Sequence, residues 1–231
     1  HVEVSDWPRL PATGGLVWAA AEQDGSKHLI VDVPPMGFAW VDPDTPAPAP
    51  DPPGRKGRLR LWRKKSAAPP PMAEPCVLRN EFFEIKLDPA SAAIRSIHDY
   101  RSRDNRLACQ LAFRRDPARR IHSDDWDDDP DTLYSVMAAD AIEVRSSGPL
   151  TAELFARGRL LDHEGQRVAR FEQVLRARRG SRVLAIDLEI QPERIPEGDP
   201  WTTYYAARFA WSDASADLFG GLGTASLARE S

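Results

Sequence analysis

Three groups of residues in this 231-residue sequence have types and spacings that chemistry uses. The first is Trp201, Tyr204, Tyr205, Arg208 and Trp211. Aromatic rings stack on the apolar faces of sugars, and an arginine fork holds hydroxyl or carboxylate oxygens. On a strand, alternation puts Tyr205, Ala207, Phe209 and Trp211 on one face and Tyr204, Ala206, Arg208 and Ala210 on the other. Tyr205, Phe209 and Trp211 are expected to be core. Trp201, Tyr204 and Arg208 remain as candidate carbohydrate-binding residues.

The second group is the acidic run Asp124-Asp125-Trp126-Asp127-Asp128-Asp129-Pro130-Asp131. Clustered carboxylates can gather oxygen ligands for calcium, or supply a carboxylate pair for glycoside hydrolysis. The run has neither the glycine nor the distal glutamate of an EF-hand loop. A solvated, self-repelling loop with Trp126 packed at its base is the simpler expectation. The third group is His98 and His122, acid/base candidates if a glutamate shares their groove. His98 falls on an expected strand before Asp99, which suits a sheet-surface histidine. No catalytic residue and no metal ligand follows from these spacings. Cys76 and Cys109 are too few for a disulfide framework and lack metal-ligand spacing. They leave the compartment open, with a slight preference for the cytoplasm.

The elements that would position these groups are strands. Leu16–Ala20, His28–Val33 and Phe38–Val41 are short apolar runs separated by turn residues. Phe83, Ile85 and Leu87 alternate with Glu84 and Lys86, as a half-buried strand requires. Ile94–Asp99 follows as its partner across Asp88-Pro89. Ala141–Arg145, Leu150–Arg159, Arg167–Arg178 and Val183–Ile190 are joined by short Gly-, Ser- and Asp-containing turns. In the last of these, Leu184, Ile186, Leu188 and Ile190 share a face. Strands at this spacing make an antiparallel all-β meander, and their length suits a wide sandwich. No segment has the length and period of a crossover helix.

Between Pro43 and Pro75 lie ten of the chain's 21 prolines. Proline cannot donate to a sheet ladder, so a loop or extended linker is expected there. Within it, the basic stretch Arg55–Lys65 has a brief alternation at Leu59 and Leu61, read as a charge-guarded edge strand. The chain then divides into a β segment over 1–45, a proline-rich insertion over 46–75, and the main sandwich over 76–231. A formal net charge of −4 gives no global field for nucleic acid or an anionic membrane. The apolar runs are far shorter than a membrane span. The chain opens at His1 without Met or an apolar leader, and reads as a fragment truncated at its C-terminus.

The run Val77-Leu78-Arg79-Asn80-Glu81-Phe82-Phe83-Glu84-Ile85-Lys86-Leu87-Asp88 resembles a known pattern. It is similar to the opening of the C-terminal domain in family 38 glycoside hydrolases, the α-mannosidases. Ala93-Ile94-Arg95-Ser96-Ile97-His98-Asp99 resembles the segment that follows, with alanine where that family has glycine. Ser147-Gly148-Pro149-Leu150 looks like the family's step into a long strand. Val31–Phe38 is similar to an upstream segment, and Asp199-Pro200-Trp201 with Tyr204–Trp211 to a later one. The resemblance implies a galactose mutarotase-type β supersandwich. It implies a non-catalytic region whose partner is an N-terminal catalytic barrel of the same protein, with carbohydrate nearby. Zinc and the nucleophile would belong to that barrel; no stretch here matches its motifs, so no cofactor is expected in this chain.

Overall fold

The computed structural model describes residues 2–4, 6–13, 16–23, 25–44, 70–101, 105–115, 133–211, 218–222 and 225–229, with side chains through Trp211 except at 105–106. Every paired strand among them runs antiparallel to its neighbour, and no helix occurs among the described residues. Strands β1 (Val2–Glu3), β2 (Val17–Gln23) and β3 (Ser26–Val31) form a small sheet in the order β1-β3-β2. A large sheet comprises β4 (Ala73–Glu74), β5 (Val77–Arg79), β6 (Phe83–Leu87), β7 (Ile94–Asp99), β8 (Asn105–Arg115), β9 (Leu133–Tyr134) and β14 (Tyr204–Ala210). Its order is β14-β8-β7-β6-β5-β4, with β9 also paired to β8. Facing it is a meander of β10 (Val136–Ser147), β11 (Thr151–Leu161), β12 (Arg167–Arg178) and β13 (Ala185–Pro192). Strands β15 (Leu218–Leu222) and β16 (Ala225–Arg229) form a separate hairpin. The protein is an all-β antiparallel sandwich.

The core lies between the two larger sheets, where period-two patterning on each supplies one apolar face. At one end Leu78, Ile85, Leu87 and Ile94 meet Leu154, Leu175 and Ala177, all 3% exposed or less. At the other, Leu111 and Phe113 meet Met137, Ala156, Leu160, Val168 and Phe171. Gly158 marks a close approach within this core. A Cβ there would sit 2.2 Å from the Ala138 carbonyl oxygen and 2.8 Å from the Phe171 ring.

Asn80 fastens the two layers together. Its side-chain amide donates to the carbonyls of Arg178 and Ser181, at 2.9 and 2.7 Å, on the β12–β13 connection. Its side-chain oxygen accepts from the backbone N–H groups of Phe82 and Phe83, at 2.8 and 3.1 Å. The neighbouring Glu81 carboxylate accepts from the Gly180 N–H. A second polar clamp joins the small sheet to the sandwich. The Gln23 amide nitrogen lies 2.7 Å from both the Ser146 and Thr151 hydroxyls, and its oxygen accepts from the Thr151 N–H at 3.3 Å. Gly148 of the Ser-Ser-Gly-Pro turn makes room for it, since a Cβ would fall 1.9 Å from the Gln23 amide oxygen.

Three expectations are corrected here. Phe38–Val41 is not a strand. Pro34-Pro35-Met36-Gly37 forms a tight turn, with the Gly37 N–H on the Pro34 carbonyl at 3.0 Å and Met36 at φ 60. Phe38 and Trp40 emerge from it 87% and 84% exposed. Secondly, the end of the proline-rich stretch is structured: Met72 and Ala73 are buried, and β4 pairs with β5. Residues 45–69, including Leu59 and Leu61, lie outside the described residues. Thirdly, the shared apolar face of β13 is only partly covered. Leu184 and Ile190 pack on the core, while Ile186 and Leu188 at this sheet edge stay exposed.

Replacing Asn80 by alanine strands two nearly buried backbone donors and two carbonyls at once. Each lost bond of this kind costs about 1 kcal/mol, so Asn80→Ala should lower stability by about 2–4 kcal/mol. Urea unfolding measures it; a midpoint equal to that of the unsubstituted chain would show that the sheets do not depend on this amide.

Candidate functional site

The Tyr204–Arg208 segment folds as the edge strand β14, in register with β8. Arg114 of β8 is flanked by Tyr204 of β14 on one side and Tyr134 of β9 on the other. Directly opposed residues of an antiparallel pair project to the same face. The next row on that face is Ala206 with Ala112, and the row after it is Arg208 with Gln110. This is the outer face, since Leu111 and Phe113 on the opposite parity of β8 enter the core.

The alanine row leaves a gap that long side chains lean across. The Arg208 guanidinium carbon stands 3.7 Å from the Tyr134 ring centroid, a close cation–π stack. Ala112 beneath is fully buried. Arg114 lies 5.6 Å from the Tyr204 ring centroid and donates to the Trp201 carbonyl at 3.0 Å. Trp201 is not on the strand. It belongs to a turn organised by Asp199, whose carboxylate accepts the Trp201 N–H at 3.0 Å and whose carbonyl accepts from Thr202 and Thr203. The Trp201 indole is 83% exposed.

The three sequence candidates thus come together at one end of the large sheet, Tyr204 and Arg208 on its outer face and Trp201 beside them. Arg208 is half-buried and has no hydrogen-bond or ion-pair acceptor among the described residues. Stacking leaves its planar N–H fork free to meet a carboxylate or vicinal hydroxyls. Tyr134 and Arg114 complete the group and are not singled out by the sequence. Tyr134 follows the acidic run and Arg114 belongs to Arg114-Arg115, so both look like surface. The signal available was the alternation Leu107, Cys109, Leu111, Phe113, which marks β8.

On the inner face the expectation holds for Tyr205 and fails for its neighbours. Tyr205 packs 4.8 Å, centroid to centroid, from Phe113, and its hydroxyl donates to the carbonyls of Arg194 and Val168 at 2.7 and 2.9 Å. Burial raises its pKa, so the proton needed for those bonds stays in place. Phe209 and Trp211 are 50% and 42% exposed. The buried cluster ends at Tyr205, so the inner face of β14 beyond it lacks a covering layer among the described residues. Phe209, Ile94 and Cys109 line a cleft of about 480 Å³ with Asp88, Arg95, Gln110 and Arg208 among its other walls.

His98 proves to have a glutamate in register: Glu84 of β6 lies directly opposite it. The Glu84 carboxylate is engaged by Lys86 at 3.1 Å and Arg79 at 3.3 Å, and His98 meets Tyr100 edge-on at 6.0 Å. A carboxylate held by two cations is an ion-pair acceptor before it is a base. Among the described residues no three His, Cys, Asp or Glu side chains gather as a metal ion would need. Nor is any helix among them long and apolar enough to cross a membrane. His122 and the acidic run Asp124–Asp131 lie outside the described residues.

Burial pushes the Cys109 thiol up to about 11. The thiolate is the nucleophile, so Cys109 is inert near neutrality despite lining a cleft. Iodoacetamide at about pH 8 should modify Cys109 only after unfolding. Peptide mapping that finds Cys109 rapidly alkylated in the native protein would overturn this assignment.

No family model, no curated protein and no solved structure matches this chain.

Proposed function

We propose that this chain is the non-catalytic sandwich region of an α-mannosidase-like glycoside hydrolase. In this reading it braces a catalytic barrel elsewhere in the same protein and turns the Arg208 face of the large sheet towards carbohydrate. One observation carries the reading: the residues behind the family resemblance do structural work. Asn80 bolts the two sheets together. Phe83, Ile85, Leu87 and Ile94 are core. Asp88 accepts from the Ser91 N–H and hydroxyl and so fixes the β6–β7 turn. Gly148 admits the Gln23 clamp. A motif spent largely on corners and core marks a scaffold.

A second reading, an independent carbohydrate-binding module, draws on the Tyr134, Tyr204, Trp201 and Arg208 group alone. The stack of guanidinium on aromatic ring, with the exposed Trp201 on the adjoining turn, supplies both an apolar platform and polar donors. The two readings part on what the rest of the gene encodes. An upstream α/β barrel with His and Asp zinc ligands favours the scaffold; a reading frame without one favours the module. A mutarotase-like enzyme is a third and weaker reading, resting on the Glu84–His98 register and opposed by the ion pairs of Glu84.

The chain by itself should release no nitrophenol from nitrophenyl α-mannoside, with or without added zinc. Turnover by the purified chain that a chelator abolishes would overturn both the scaffold and the module.

A further inference from the structure

We infer that the Arg208–Tyr134 face selects a saccharide bearing a carboxylate, a hexuronate-type ring, over a neutral one. This rests on the carbohydrate reading above and names the ligand class within it. Two guanidinium groups, Arg114 and Arg208, share one face of the large sheet, each against a tyrosine ring. Arg114 is anchored through the Trp201 carbonyl. Among the described residues Arg208 is held by stacking alone, so its orientation is fixed while its hydrogen-bonding edge is uncommitted there. A hydroxyl offers that edge one acceptor oxygen at a time. A carboxylate offers two in the matching plane and neutralises a cation that is already half-desolvated. Gln110, paired in register with Arg208, adds a neutral amide beside it. The rings of Tyr134 and Tyr204 supply the apolar surface a pyranose needs, and the exposed Trp201 belongs to the adjoining turn.

General electrostatics do not account for such a preference. The chain carries a formal net charge of −4, so an anionic saccharide is repelled on average and attracted only where cations are locally in excess. The other arginine-rich face, on the four-stranded sheet, shows the contrast. There Arg159 pairs with Asp140, Arg167 and Arg170 share Glu193, and Arg176 bridges Glu153 and Asp187. Those guanidiniums are committed to carboxylates of the same chain.

Calorimetric titration at physiological ionic strength decides it, with tetragalacturonate, its methyl ester and mannotetraose as probes. The acid should bind at least about tenfold tighter than the ester, the factor expected for one charge-assisted bidentate contact. Arg208→Met should erase that difference. Arg208→Lys, which keeps the charge and loses the fork, should recover only part of it. Arg145→Met, on the far sheet against Phe155, should leave it intact. Equal binding of acid and ester would overturn the carboxylate preference and leave the carbohydrate reading standing. Binding of no probe would overturn both. A preference for the acid that survives in folded Arg208→Met would overturn the site. Thermal melting establishes that each variant is folded, and the acid-to-ester comparison in the unsubstituted chain is a test independent of any variant.

Discussion

The sandwich depends on a single side-chain amide at a corner. Two sheets that each present one apolar face will stack, but the hydrophobic effect is non-directional and does not fix how they are aligned. Asn80 supplies the missing direction. It closes the β5–β6 turn with its oxygen and reaches the β12–β13 connection with its nitrogen, so the two layers share one rigid joint. Every atom of that amide able to bond is bonded, in a residue 8% exposed. Asparagine suits the position because it combines an acceptor for turn N–H groups with two donors for carbonyls on another segment.

The same device recurs where the small N-terminal sheet meets the sandwich. Gln23 is buried against the β10–β11 turn and satisfied by Ser146 and Thr151. A third amide, Gln173, donates to the Ala92 carbonyl at 2.6 Å and holds the β6–β7 turn within the core, where Ala92 adopts φ 61. The left-handed backbone at Ala92 is a conformation that glycine adopts without strain and alanine does not. Gln173 thus reinforces the joint that Asn80 makes between the layers, Gln23 ties on the small sheet, and apolar side chains fill the space between.

The outer faces differ in kind. The four-stranded sheet is laced with cross-strand ion pairs, each worth little in water, which keep a solvated face orderly. The large sheet near β14 lacks such pairs at Arg208 and uses aromatic stacking instead. An arginine whose position is set by a ring and whose donors are unspent differs physically from one absorbed in a ladder. Arg145 over Phe155 and Arg182 over Phe82 stack in the same way, and the Arg208 patch adds a second guanidinium, Arg114, on the same face.

The sequence determined the class of fold because period-two alternation and turn chemistry are local properties. The runs Phe83–Leu87, Ile94–Asp99 and Arg167–Arg178 are legible from their own residues, and the last matches β12 residue for residue. It also separated Tyr204 and Arg208 from Tyr205 by parity alone. What parity could not supply was the extent of the opposing layer. Phe209 and Trp211 share Tyr205's face yet remain exposed, because burial depends on where the other sheet stops. Tyr134 and Arg114 were likewise invisible, since they lie 74 and 94 residues from Arg208 and meet it only through the pairing of β9 and β14 with β8. Pairing register is a long-range property of the folded chain, and the candidate site exists only once that register is set.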